Sequence, residues 1–369
     1  MRVYLDSHST TPLDPKVLKA MLPYLTSEYA NPSAAHSLGV KVREAVEQAR
    51  ANIAVSLNAQ PDQLYFTSGA SESNNLAIHG FWDHARTEHT TLRLVSSNIE
   101  HPSVAESMLA LAHSTDHPTY YTQLDVLRYG WLSDFGHYDL CSVQAANHEI
   151  GTVFDLEHLG RLCRSHGTYF HTDATQAIGK VPINVESQCI DALSFSGHKL
   201  NGPKGIGALY VRDYTQIEPL LKGGLQERLR SGTLNIPGII GLAKALELTR
   251  QIDWGRVGVL RDLLLELLQN DIPDLEVNGP LGDRLPHNLN VSIPGIKSEV
   301  FVRGLEDVIV SAGSACQSGK DAPSHILTAI GAKYPDCAIR FGLGKDTTKR
   351  EVQYAAKRVI QTVKSMRQL

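Results

Sequence analysis

Between residues 62 and 211 the sequence alternates short β-branched or apolar runs with stretches of helical periodicity, which limits the chain to few architectures. The runs are LYFTSG (64–69), RLVSSN (93–98), TYYTQL (119–124), LCSVQAAN (140–147), TYFHTDAT (168–175), DALSFSGHK (191–199) and GIGALYVRD (205–213). Strands separated by helices are joined by crossovers, and the result is a largely parallel sheet covered on both faces. Helical patterns fill 100–111 and 156–165, the second stopped by Gly167. After Asn235 a long amphipathic pattern, IIGLAKALELTRQIDWGRVGVLRDLLLELLQ, bridges to a C-terminal unit. PHNLNVSIPG, DVIVSAGSAC and AIRFGLG are its predicted strands, and a helix from Thr348 to Met366 closes it. The expected organisation is a large α/β domain over 15–250 with a mainly parallel sheet, and a smaller α/β domain made from 1–14 and 251–369.

A chain of 369 residues has room for both units. Its net charge of -4 is small for that size, which argues against a direct nucleic-acid partner or an anionic membrane surface. The five cysteines are odd in number, widely spaced and without a C-x-x-C pair. No metal site is therefore expected, and a reducing cytosol fits best. The N-terminus has no basic-then-apolar targeting pattern and no run of 18 apolar residues occurs, so a soluble cytoplasmic protein is expected.

The chemistry concentrates at strand ends, where ligands bind in open α/β sheets. Lys199 leaves the SFSGHK strand just before a glycine-rich turn and could reach a bound aldehyde; the bland alternative is a solvated surface lysine. Asp173 and Gln176 end HTDATQ, where a carboxylate could pair with a protonated pyridine nitrogen and an amide with a ring oxygen; aspartate there is equally a turn former. TSGASESNNLAI runs from a strand end into a helix, which places Ala70 and Ser71 where free N–H groups favour a phosphate, or where serine merely caps. Cys316 stands among small and polar residues, in a setting typical of an exposed reactive loop rather than of a buried thiol.

These segments together resemble the class V aminotransferase superfamily, specifically the cysteine desulfurases of the iron–sulfur-cluster type and their long-loop group. YLDSHSTTPLDP, TSGASESNNLAI, NIEHPSV, NHEIG, HTDATQAIGK, SFSGHKLNGPKGIGALYV, RSGT, SAGSAC and AIRFGLG occur in the family's order and near its spacing. The resemblance implies a fold type I transferase that uses pyridoxal 5'-phosphate (PLP), with Lys199 as the Schiff-base lysine. It implies that Asp173 pairs with the pyridine nitrogen and Gln176 with the 3-oxygen, while Ala70, Ser71, Ser196 and His198 hold the phosphate. His101 matches a histidine that stacks on the ring and moves protons, Arg340 the arginine that grips the substrate carboxylate, and Cys316 the cysteine that accepts sulfur. His148 stands where many relatives have asparagine, beside the cofactor and the substrate carboxylate. Arg230 to Thr233 match a segment that reaches the phosphate of a neighbouring subunit, implying a homodimer, although KGGLQERLRSGT is one residue shorter than usual.

The implied activity converts L-cysteine to L-alanine and passes sulfur through Cys316 to acceptor or cluster-scaffold proteins. The alternatives are a cysteine, cystine or selenocysteine lyase that releases its product directly, and a non-catalytic scaffold.

Overall fold

The computed structural model describes residues 1–126, 135–224, 226–312 and 323–368. The chain opens with β1 (Val3–Tyr4), α1 (Pro15–Thr26) and α2 (Ser37–Leu57). The alternating region then supplies β2 (Leu64–Thr67), α3 (Ala70–Ala85), β3 (Leu92–Ser97), α4 (Pro102–Ala112), β4 (Thr119–Leu124), β5 (Leu140–Ser142), α5 (Leu156–His166), β6 (Tyr169–Asp173), β7 (Ala192–Ser196) and β8 (Gly207–Val211). All seven runs singled out in the sequence become strands of one seven-stranded sheet, in the order β2-β8-β7-β6-β5-β3-β4. Its neighbours are parallel except β8, which runs antiparallel to β7 and β2. The exception follows from chain length: residues 197–206 form a short turn, and a parallel return needs a crossover of about a dozen residues or more.

Side chains alternate between the two faces of this sheet. Leu64, Val95 and Leu193 join α2, α5 and α6 residues such as Val46, Cys163 and Leu242 in one core. Tyr65, Leu94 and Ala192 join Leu76 and Phe81 of α3 and Met108 of α4 in another. Burial of both faces explains why β5 to β8 read as continuous buried runs rather than as polar–apolar alternation. Asp155 caps the start of α5 and Gly167, at φ 68°, ends it in the left-handed conformation.

The long amphipathic stretch after Asn235 is two helices rather than one: α6 (Ile236–Thr249) and α7 (Trp254–Asp271). Asp253 breaks the run by capping α7, its carboxylate accepting from Arg256 N at 3.0 Å. Beyond lie β9 (Glu276–Val277), β10 (Asn288–Ser292), α8 (Ser298–Gly304), β11 (Val308–Ile309), β12 (Ser311–Ala312), α9 (His325–Ala329), β13 (Ala338–Gly342) and α10 (Lys349–Arg367). A four-stranded antiparallel sheet, β12-β13-β10-β9, forms here, and β1 pairs in parallel with β11. Val3 and Leu5 share an apolar core with Leu264 and Leu268 of α7, Phe341 of β13 and Val359 of α10. The N-terminal segment thus packs with the C-terminal one.

Candidate active site

A cavity of about 650 Å³ opens at the carboxyl ends of the parallel strands. β6 delivers Asp173 to it as its last residue, and β7 ends on Ser196 before a tight turn that carries His198 and Lys199. Asp173 is held from both sides, since Oδ2 accepts from Asn74 Nδ2 and Oδ1 from Thr175 N, each at 2.9 Å. Lys199 Nζ donates to Ser9 O at 2.7 Å and also to His8 O. The N-terminal loop is thereby drawn over the turn that carries the lysine.

β2 leads through Ser68 and Gly69 into α3, whose first residues are Ala70 and Ser71. The first turn of this helix faces the cavity beside Ser196 and His198. Leading N–H groups of a helix attract anions. Gly207 allows this turn to sit tightly on the sheet, because a Cβ there would lie 2.7 Å from Gly69 Cα. Ser196 Oγ is buried without a hydrogen-bond partner among the described residues, a cost that a bound acceptor or donor would relieve. Burial and the neighbouring Lys199 and Lys204 push the His198 imidazole down to about 4.

His101 both caps α4 and lines the cavity. Its Nδ1 accepts from Ser103 N at 3.1 Å, which leaves the proton of the neutral ring on Nε2. The His148 ring lies 5.7 Å away, edge to face. Burial lowers the pKa of both, with Asp173 pulling His101 the other way and the charges of Arg340 and Lys199 pushing His148 well below its usual range. Both are neutral bases near pH 7.

Arg340 enters from the second sheet, in the middle of β13. Only 2% of it is exposed. One terminal nitrogen donates to His148 O at 3.0 Å; the other donates to Asp6 Oδ1 at 3.1 Å and Ser9 Oγ at 2.8 Å. Nε is buried with no partner among the described residues. The guanidinium is therefore clamped by three of its five N–H groups, while Nε–H and the second hydrogen of the nitrogen bound to His148 O have no partner among the described residues, and the residue lines the cavity.

The structure thus gathers Lys199, Asp173, Gln176, His101, His148, Ser196, His198, Ala70, Ser71 and Arg340 around one cavity. Thr233 is exposed and does not line it; Arg230 just before it pairs with Glu72 of α3 at 3.0 Å. Cys316 lies outside the described residues. The chain enters that stretch from β12, whose Ser311 is paired with Arg340, and leaves it at Ser324, whose hydroxyl donates to buried Glu149 Oε2 at 2.7 Å. Sequence reasoning did not single out His8, Ser9 or Asn74, although the first two lie in the quoted YLDSHSTTP motif. Their partners are remote in sequence: His8 and Gln176 are 168 positions apart.

An amine, a carboxylate, neutral imidazoles and an anion cradle with an unpartnered hydroxyl share this cavity. That donor set fits the aldehyde, pyridine nitrogen and phosphate of PLP.

The sequence profile of the family described as Aminotransferase class-V matches residues 3–355. A cysteine desulfurase IscS of Anaeromyxobacter dehalogenans (strain 2CP-C) is 41% identical, over 100% of this chain and 94% of the relative. A mitochondrial cysteine desulfurase of Drosophila melanogaster is 42% identical, over 100% and 82%. Among solved structures, a NifS-like protein superposes with a TM-score of 0.89 at 32% identity, covering 99% of this chain and 100% of that one. SspA in complex with cysteine superposes at 0.80 with 34% identity, covering 94% and 100%. The fold type I architecture expected from the resemblance is the one found. By profile, relatives and fold, the chain belongs to the class V aminotransferase family.

Proposed function

We propose that this protein is a PLP-dependent cysteine desulfurase that converts L-cysteine to L-alanine and places the sulfur on Cys316. The observation that carries the reading is the convergence on one cavity of Lys199, Asp173, His101 and Arg340, brought from the turn after β7, the end of β6, the cap of α4 and the middle of β13. When bound, PLP supplies an electron sink for the pair released at the substrate α-carbon. Lys199 would hold its aldehyde carbon, Asp173 its pyridine nitrogen and Gln176 its ring oxygen. The first turn of α3, with Ser196 and His198, would hold the phosphate.

Arg340 would fix the substrate carboxylate, using the N–H groups that have no partner among the described residues. The Lys199 amine would then move the α-proton. Neutral His101, with its acceptor nitrogen held by the cap bond and its proton on Nε2, would donate a hydrogen bond to the attacking sulfur, which favours the thiolate over the thiol. The thiolate of Cys316 attacks the substrate sulfur: an S–S bond forms, the Cβ–Sγ bond breaks, and its electron pair stays with carbon, which is protonated to give alanine.

Cysteine as substrate is in keeping with the SspA structure solved with it. The acceptor class (a sulfur-carrier or cluster-scaffold protein), the homodimer with Thr233 reaching the partner's phosphate, and a cytoplasmic location are parts of the same proposal. Among the described residues no helix is long and apolar enough to cross a membrane. We read 15–250 as the cofactor-binding domain and 1–14 with 251–369 as the smaller one, a division supported by the separate core that Val3 and Leu5 share with α7 and α10.

The test is an absorbance spectrum before and after L-cysteine, combined with alanine assay and mass spectrometry of the Cys316 peptide. A visible band that responds to cysteine and one added sulfur on Cys316 are expected. Cys316→Ser should keep the spectral response and lose alanine formation, because a serine hydroxyl is a poor sulfur nucleophile. If that variant releases alanine and sulfide at the wild-type rate, the chain is a direct lyase instead.

A further inference from the structure

The N-terminal loop does more than cover Lys199. His8 is almost fully buried, its ring stacked on His287 at a centroid distance of 4.3 Å. Both ring nitrogens are engaged, Nδ1 with Gln176 Oε1 and Nε2 with Asn288 Nδ2, each at 3.1 Å.

Main-chain carbonyls, which only accept, fix every orientation in this chain of contacts. Asn288 Nδ2 also points at Glu149 O at 3.1 Å, and Asn288 Oδ1 accepts from Arg284, so the nitrogen end of Asn288 faces the histidine. His8 Nε2 must then accept, and the ring proton sits on Nδ1. Gln176 has its Nε2 3.1 Å from His8 O, and a flipped amide would set two acceptors against each other there. Oε1 therefore receives the Nδ1 proton, and one of the two Nε2 hydrogens is spent on His8 O. The remaining one belongs to a residue that lines the cavity.

We propose that His8 is a positioning residue for the cofactor: by gripping both ends of the Gln176 amide it reserves one N–H for the ring oxygen. The inference rests on the reading of Gln176 as the partner of that oxygen. Burial, with the positive charges of Arg340 and Lys180 nearby, keeps the imidazole neutral and the acceptor at Nε2 intact. The same residue ties the cavity to the second sheet, because Asn288 lies on β10.

The experiment titrates the visible absorption band of cofactor-loaded protein with pH. It compares wild type with Gln176→Ala, His8→Ala, His8→Asn and the double variant His8→Ala/Gln176→Ala. A donor on the ring oxygen opposes protonation next to it, so Gln176→Ala should move the midpoint upward by about one pH unit, the size of one hydrogen bond to a charged group. His8→Ala should move it the same way by a smaller amount, and the double variant no further than Gln176→Ala alone. His8→Asn, which keeps an N–H donor, should recover most of the wild-type midpoint. If His8→Ala does not fold, His8→Phe retains the stack on His287 without the nitrogens and takes its place. A shift in Gln176→Ala with none in His8→Ala, or equal His8 shifts in both backgrounds, overturns the role of His8. An unmoved midpoint in Gln176→Ala instead overturns the reading of Gln176.

Discussion

The two walls of the cavity are built in opposite ways. One is a by-product of the parallel sheet: Asp173, Ser196 and Lys199 follow from where β6 and β7 end, and the cradle from where α3 begins. The other has no such default. Arg340 sits in the middle of an antiparallel strand, and its head group is held by Asp6, Ser9 and the carbonyl of His148, from distant parts of the chain. A sheet end can hold a cofactor with backbone dipoles and short side chains, whereas recognition of a small carboxylate needs one long cation fixed by many neighbours. A buried polar group without a partner costs on the order of 1–3 kcal/mol. Among the described residues each wall carries such a buried group, Ser196 Oγ on the first and Arg340 Nε on the second, where a bound phosphate and a ligand carboxylate can remove the cost.

The comparison breaks most visibly at Lys199. Lys199→Ala should lower alanine formation by about 10³-fold or more, since both the covalent hold and the proton carrier are lost. Borohydride reduction of wild type should fix the cofactor to the Lys199 peptide; an adduct on another lysine overturns the assignment of this wall. Arg340→Ala tests the opposite wall. The KM for L-cysteine should rise by roughly 10–100-fold, the range of a charge-assisted hydrogen-bond pair, with the visible band retained. Loss of the cofactor in Arg340→Ala would show that the two walls are not separable.

The wall that follows from the sheet was also the wall legible in the sequence. Periodicity marked all seven strands of the large sheet, and position at a strand end singled out Lys199 and Asp173. The antiparallel direction of β8 was hidden because a strand pattern carries no direction; only the short 197–206 connection implies it. Arg340 was reached through family resemblance, since an arginine within AIRFGLG can also serve a structural ion pair, and in the structure it does that too, with Asp6. His8 and Ser9 went unassigned because their roles are set by contacts with Gln176, Lys199 and Arg340, which no local pattern encodes. The long pattern after Asn235 concealed a break, because the cap at Asp253 is a single residue within otherwise continuous helical periodicity.

The smallest effect concerns what fastens the strands beneath the first wall. His171 on β6 bonds Ser142 Oγ of β5 at 2.7 Å and Ser194 Oγ of β7 at 2.9 Å, so one imidazole spans three neighbouring strands. Burial lowers its pKa from 6.5 to about 4, with Asp173 pulling weakly the other way. Between those values the unfolded chain binds a proton at His171 and the folded protein does not. Stability is therefore fully present above pH 6.5 and declines as pH falls toward 4, by about 1.4 kcal/mol per pH unit for one proton. Glu100 acts in the opposite sense: burial raises its carboxyl from 4.5 to about 8, so its contribution declines as pH rises between those values and is gone above the upper one, and the whole-protein curve mixes the two. Subtracting the curve of His171→Asn from that of wild type isolates the histidine, since asparagine can bond a neighbouring serine hydroxyl but does not titrate. Denaturation midpoints from pH 4 to 8 should show the wild-type slope exceeding the variant's by about that amount below pH 6.5, with parallel curves above it. Parallel curves over the whole range would mean that His171 takes up its proton as readily in the fold as in the unfolded chain, and that the strands leading to Asp173 and Lys199 are held together in some other way.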